Sequence, residues 1–345
     1  MSKKIILFAL IGIVIISSGL ILIVSNLTAL NIDYPKVYIH PDGTIEPSST
    51  PLSRQGNLYS LEANITLYKL FIEKSNITLD GNGFLFKITS PNGSKVGPGL
   101  GSLELTNVEN VILRNIITGY PKLTGNDVYA NYPGAILIFE NSSSCESVNS
   151  KVASISIINS SDIRVSGHSG GIELVNSRNC NISSCTNFVI TLNNSDENMI
   201  LNNDMTEMKA LALRLVDSNG NLFFGNRIER SQKLFEITGS SGNNLFVGNY
   251  IQGAFSIAPI LDCSGVNTFY HNNFVYVYWG KTATNDAPNL WDNGFEGNYW
   301  NDYQGEDVNG DGIGDTPHYV TDNNKDQYPL MNPLDLSLEP IPKLQ

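Results

Sequence analysis

The sequence is poor in the residues that most often carry chemistry. Its 345 residues include four histidines, four cysteines and five methionines. They are scattered, and no group of them has the spacing of a copper or zinc site. Positive charge is scarce too: 21 Lys and Arg face 33 Asp and Glu, a net charge of −12. That balance argues against a nucleic-acid partner, and against holding a strongly anionic polymer unless a cation intervenes. Cys145, Cys180, Cys185 and Cys263 could in principle form two disulfides in an exported chain. In the repeat register described next, however, Cys145 and Cys180 fall two coils apart, about 10 Å. That is too far for a bridge. Cys180 and Cys185 are the pair close in sequence. The cysteines read mostly as small buried apolar residues.

What is present is a repeat. Asn198 and Asn203 enclose a short apolar burst, and the pattern returns at Asn221 and Asn226, Asn244 and Asn249, and Asn267 and Asn272, each 23 residues on. Ile200, Phe223, Phe246 and Phe269 share one register. Met205, Ile228, Ile251 and Phe274 share a second, and Leu211, Leu234 and Ile257 a third. A short fixed period with columns of like residues is the signature of a solenoid. The apolar residues alternate in short bursts and lack the helical i, i+3, i+4 spacing, which favours strands. Asn, Gly and Ser fill the gaps, as at Ser218-Asn219-Gly220, where tight turns need them. The expected fold is all-β: a right-handed, single-stranded parallel β-helix, with stacked Phe and Ile in its bore. Stacked Asn amides would form a ladder of side-chain hydrogen bonds.

Four segments follow. Residues 1–29 are an N-terminal anchor or signal: Lys3 and Lys4 precede Ile5–Val24, which holds no charge. Twenty such residues span about 30 Å as a helix, with the remainder of the chain outside the cell. Cleavage after Ala29 would place Leu27 at −3, a poor fit to a signal peptidase site, so an uncleaved single-pass anchor in the cell membrane is preferred. Eight Asn-x-Ser/Thr sequons, at Asn26, Asn64, Asn76, Asn92, Asn141, Asn159, Asn181 and Asn193, agree with export. Residues 30–57 form a tether and N-terminal cap. Residues 58–280 form the coils, with 88–101 and 118–134 thrown out as loops toward a binding face. Residues 281–345 are an aromatic and acidic C-terminal cap.

The sharpest chemical motif is Asp307-Val308-Asn309-Gly310-Asp311-Gly312-Ile313-Gly314-Asp315. Asp307, Asn309, Asp311 and Asp315 fall at positions 1, 3, 5 and 9 of an EF-hand-type loop, and Ile313 offers the position-7 carbonyl. This predicts a structural calcium ion. The twelfth position is His318, so Asp322 or Asp326 would have to complete the site. Trp291, Phe295, Tyr299, Trp300 and Tyr303 are expected to pack over the open end of the bore. No catalytic residue is assigned. Asp80, Asp204, Glu207, Asp217, Glu229 and Glu236, with Arg214, Arg227 and Arg230, are available, but no spacing among them demands a reaction. Glu207 and Arg230 are one period apart and could form an ion pair.

The Asn-centred coils resemble PbH1 repeats of the NosD-like β-helix family, which is related to the carbohydrate-binding and sugar-hydrolase (CASH) domain. Tyr38-Ile39-His40-Pro41-Asp42-Gly43-Thr44-Ile45 and Asn76-Ile77-Thr78-Leu79-Asp80-Gly81-Asn82-Gly83 resemble the opening of archaeal cell-surface members. Trp291-Asp292, Gly297-Asn298-Tyr299-Trp300-Asn301-Asp302-Tyr303, the acidic loop with Thr316-Pro317, and Tyr328-Pro329-Leu330 resemble their closing segment. The resemblance implies a right-handed β-helix on the cell surface. It also brings a copper-related maturation role, which the sparse His and Met disfavour. The reading is a membrane-anchored extracellular protein, leaning non-catalytic, that binds a polysaccharide or another envelope component. A polysaccharide hydrolase or lyase, and a purely structural envelope component, are the alternatives.

Overall fold

The computed structural model describes residues 14–16, 19–21, 36–88, 101–119, 135–186, 189–206, 211–253, 259–277 and 288–342. The chain separates into two units, Met1–Tyr34 and Pro35–Gln345. In the first unit, Val14–Ile16 pairs antiparallel with Gly19–Ile21. The helix expected over Ile5–Val24 is therefore not formed at these positions, where β-branched Val and Ile favour extended backbone. The rest of that span lies outside the described residues. No helix of the described residues is long and apolar enough to cross a membrane.

The second unit is a parallel β-helix with three faces. Face 1 is an 11-stranded sheet: ten parallel strands from Lys36–Ile39 to Ile260–Cys263, with Ile45–Glu46 as the eleventh at its N-terminal edge. Face 2 is a second 11-stranded sheet, from the Leu52–Gln55 and Leu58–Leu61 hairpin to Thr268–Tyr270. Lys36–Ile39 pairs parallel with Lys69–Ile72, so the solenoid begins inside the segment read as an N-terminal cap. The two antiparallel additions blunt the open sheet edges. Inward residues alternate with outward ones, as in the buried–half-buried pattern of Ala135–Glu140.

Face 3 is interrupted. It has three strands near the N-terminus, Ile65–Leu67, Leu85–Ile88 and Ile117–Gly119, and five near the C-terminus, from Asp204–Thr206 to Tyr299–Trp300. Between them, among the described residues, only isolated bridges occur on this face, such as Ser169 with Thr186. Coil length follows. Partners on successive coils are 34 residues apart in the early coils, 17 or 18 in the middle and 23 in the late ones. A middle coil is short because it omits the third strand. Residues 89–100 and 120–134, the expected loops, lie outside the described residues. Both segments join the end of a face 3 strand to the start of a face 1 strand.

Two of the three predicted apolar columns stack as expected. Ile200, Phe223, Phe246 and Phe269 are register partners, and so are Met205, Ile228, Ile251 and Phe274. In the third, Leu211 and Leu234 are out of register, since Leu211 pairs with Lys233 and Leu213 with Phe235, and Ile257 lies outside the described residues. Coils keep step on face 2, while face 1 absorbs the difference. In the bore, Phe223, Phe246, Phe269 and Trp291 stack with successive centroids 4.5 Å apart.

Polar ladders run beside the aromatic column. Asn198, Asn221, Asn244, Asn267 and Asn289 form one; each Oδ1 accepts from the backbone N–H and side-chain amide of the preceding Asn. Asn203, Asn226, Asn249, Asn272 and Asn298 form a second in the same way. A third ladder, not visible from the 23-residue period, is built of serines. The hydroxyls of Ser142, Ser160, Ser177, Ser195, Ser218 and Ser241 each accept from the N–H of the coil before. All are buried. Cys180 and Cys185 head the two Asn ladders, each giving its N–H to the first amide. No disulfide is present, and all four cysteines are buried. Burial pushes the Cys180 thiol up to about 12 and the Cys185 thiol to about 11, as expected of thiols that serve as apolar filler.

Candidate functional site

The ladders extend past residue 280, so the C-terminal segment continues the coil pattern before closing it. Tyr299–Trp300 adds a parallel strand to face 3, and Leu290 bridges Thr268 on face 2. Trp291 and Trp300 are buried over the end of the bore, as expected, whereas Phe295 is 79% exposed. The second ladder ends on a carboxylate. Asp326, fully buried, accepts from the backbone and side chain of Asn298, from Trp300 Nε1 and from the Tyr328 N–H. Burial, outweighing these donors, raises its pKa from 3.8 to about 6. Asp326 is thereby committed to the ladder and cannot complete the acidic loop. His318, at the loop's twelfth position, stacks on Trp300 at 4.4 Å.

The acidic loop folds around its own first residue. Asp307 accepts from the N–H groups of Gly310, Asp311 and Gly312. Asp311 accepts from Ile313 N–H, and Asp315 from Val308 N–H. Gly310 and Gly312 have φ of 73° and 87°, which other residues rarely adopt.

The charged residues singled out from the sequence do not converge on one site. Asp80 binds Arg114 at 2.8 Å on face 2. Although burial opposes it, hydrogen bonds from Asn82, Asn115 and Arg114 hold its carboxyl below the usual range. Glu229 is paired with Arg227 and Arg230, and Glu236 with Arg214 and Lys233. Asp204 is hydrogen-bonded to Thr206, and Asp217 to Ser240. Glu207 lies outside the described residues.

The site the structure does offer runs along face 2. A groove of about 940 Å³ is lined by Asp162, Arg164, Asn181, Met199, Leu245 and Tyr270, with further residues between them. A second hollow of about 420 Å³, lined by Asn110, Ile112, Ser144 and Glu146, shares Asp162 and Arg164 with it. These residues sit on successive strands, so together the two hollows track the solenoid axis for on the order of 40 Å. One wall is a corner at which Asn110, Ser144, Asp162, Asn179, Glu197 and Asn243 all have positive φ. At its downstream end the outward face becomes apolar: Leu201, Leu222, Phe224 and Val247 form a separate buried cluster, with Met199, Leu245 and Tyr270 against it. The C-terminal tail lies over this end. Asn273 exchanges two hydrogen bonds with the Leu334 backbone, Glu339 contacts His271 at 2.9 Å, and Pro342 reaches the groove. Burial raises the Tyr270 pKa, with Glu339 adding to it. Sequence reading missed this groove because its residues follow coils of unequal length; the irregular recurrence of Asn, Ser and Asp at left-handed corners was the available signal.

A sequence search against curated proteins gives no match. Residues 75–305 match the family model described as periplasmic copper-binding protein (NosD). The chain belongs to the NosD family. Among solved structures, the periplasmic alginate epimerase AlgG is similar over 68% of each chain, at 13% identity and a TM-score of 0.40. The A-module of the Azotobacter vinelandii mannuronan C-5 epimerase AlgE6 is similar over 65% of this chain and 74% of its own, at 11% and 0.35. PfbA, a surface adhesin of Streptococcus pneumoniae, is similar over 68% and 64%, at 14% and 0.29.

The copper in this family's description does not fit the residues described here. His40 is held by Glu46 and Glu73, and His271 by Glu296 and Glu339. His168 is buried in the column that continues as Cys185 and Asn203, its Nδ1 on the Ser150 carbonyl. His318 lies under Trp300. Among the described residues no three His, Cys, Asp or Glu side chains converge to hold a metal.

Proposed function

We propose that this NosD-family chain is an extracellular, N-terminally anchored protein that binds a glycan along the face 2 groove without transforming it. The groove itself carries this reading. It is long and open, lined by short amides, a guanidinium and Tyr270. That mix of hydrogen-bonding groups and one aromatic face suits sugar rings, which are polar at the edge and apolar on the face. Its carboxylates Glu146, Asp162 and Glu197 are the groups that a hydrolase or lyase acting here would have to use, so chemistry is followed alongside binding. The test is to incubate the full chain in mild detergent with neutral and acidic polysaccharides, following both retention and chemistry. Retention that drops at least about tenfold in Tyr270→Ala, with no new reducing ends or unsaturated products, is expected. Steady product that disappears in a groove carboxylate variant would make the chain a hydrolase or lyase instead.

Two further elements belong to the proposal. The Asp307–Asp315 loop, whose three carboxylates do not converge as folded here, would gather around a structural calcium through Asp307, Asn309, Asp311, the Ile313 carbonyl and Asp315. The ligand spacing supports it, and so does a loop already wound about Asp307. Chelation is expected to lower Tm by several degrees; an unchanged Tm removes calcium from the account. The uncharged apolar run of residues 5–24 supports a membrane anchor, although its positions 14–16 and 19–21 pair as strands in this structure, and resistance of the chain to alkaline carbonate extraction from membranes checks that.

A further inference from the structure

We infer that the groove selects an uncharged glycan chain over a polyuronate, an inference that rests on the glycan-binding reading above. The argument is the sign and placement of its charges. Glu146, Asp162 and Glu197 line the two hollows against one cation, Arg164. Arg164 stands where the hollows meet, and among the described residues no carboxylate forms an ion pair with it. Among the described residues Glu146, Asp162 and Glu197 form no ion pair with another cation either, so the lining carries an excess of negative charge. It does so on a chain whose net charge is already −12.

Like charges held a few ångströms apart, in surroundings between bulk water and protein interior, repel each other. A polyuronate presents one carboxylate per ring, so it would meet this repulsion at successive positions along the groove. One guanidinium could offset it at a single ring. An uncharged chain meets no such penalty. Its hydroxyls find donors and acceptors in Asn179, Asn181 and Arg164, and a ring face finds Tyr270 beside Met199 and Leu245. Charge alone would favour a cationic glycan; the uncharged reading rests in addition on the amides and the Tyr270 ring, which take hydroxyls and a ring face without charge.

The test uses the full chain, equilibrated with calcium and then moved into buffer free of divalent cations, against three immobilised probes: a neutral β-glucan, a polygalacturonate and a chitosan. The β-glucan is expected to bind with a Kd that changes less than about twofold between low and high salt, because no charge is being screened. Polygalacturonate should bind at least about tenfold more weakly at low salt, with the gap narrowing as salt rises. Paired Glu146→Gln and Asp162→Asn substitutions should shift the polygalacturonate-to-glucan affinity ratio by about threefold or more toward the acid polymer. Asn tolerates the left-handed backbone at position 162, and circular dichroism confirms that the variant is folded. Polygalacturonate bound as tightly as the β-glucan overturns the inference while leaving a glycan-binding protein. Chitosan bound most tightly, and released by salt, overturns it in the other direction. No retention of any probe removes the glycan reading itself.

Discussion

Replacing Asn249 with Ala is expected to destabilise the β-helix by about 3–5 kcal/mol, far more than the loss of one polar side chain on a surface. Asn249 is 1% exposed and sits mid-ladder. Its Oδ1 accepts from the Asn226 N–H at 2.9 Å and from Asn226 Nδ2 at 3.0 Å. Its Nδ2 donates to the Phe223 carbonyl at 2.9 Å and to Asn272 Oδ1 at 2.9 Å. Alanine leaves two donors of Asn226 without partners in a dry interior and takes one donor from the Phe223 carbonyl. Each orphaned group costs about 1–3 kcal/mol, and the cavity adds to it. Leucine, though apolar and large, should be no better, because it fills space without accepting a hydrogen bond. Upstream the neighbouring corner column is apolar at Ile77, Val111 and Ile163, so apolar residues are tolerated there as a block. Chemical denaturation monitored by circular dichroism checks this. A loss below about 1 kcal/mol for both variants would mean that the ladder is not a cooperative network.

The second large effect is on pH dependence, and it comes from Asp326. Its pKa is raised from 3.8 to about 6. Above about pH 6 the group is ionised in both folded and unfolded chains, so its contribution does not vary. Between 3.8 and about 6 the folded chain keeps a proton that the unfolded chain releases. Stability from this group therefore rises as pH falls through that window and is lost as pH rises. At about 1.4 kcal/mol per pH unit, the window is worth roughly 3 kcal/mol. Asp42, Asp80 and Asp335 are held below their ordinary value and act in the opposite sense, at pH below 3.8. His40 is raised by its hydrogen bonds to Glu46 and Glu73, but it contributes equally in any pair of proteins that differ only at 326.

Asp326→Asn is the informative comparison, since an amide oxygen can take the Asn298 donors as every earlier rung does. Urea unfolding at pH 4 and pH 7 should show the acid-side gain of the unsubstituted chain disappearing in this variant. If the stability difference between the two proteins is the same at both pH values, burial does not raise Asp326 as described. Asp326→Ala, by contrast, should be destabilising at every pH, because four donors lose their acceptor.

The repeat made much of this protein legible without coordinates. A 23-residue spacing of paired Asn with Phe or Ile between them determined the fold class, the two Asn ladders and the contents of the bore. Stacking identical residues at one spacing leaves them few other arrangements. The aromatic end-cap was legible for the same reason: Trp291 and Trp300 are too large and apolar to be left outside an open bore. What failed depended on coil length. Leu211 and Leu234 looked aligned by period, but face 1 shifts by one residue there. The serine ladder was hidden because its members follow coils of 17, 18 and 23 residues.

The groove and the fate of Asp326 were decided by tertiary structure alone. Arg164, Asp162 and Tyr270 are unremarkable in sequence, and they share a surface only because coils that drop their third strand still keep register on face 2. Asp326 reads as a possible calcium ligand until Asn298 and Trp300 are seen to claim it. A sequence states which residues recur. It does not state which face a variable-length coil shortens on, and that choice determines which side chains meet outside the bore.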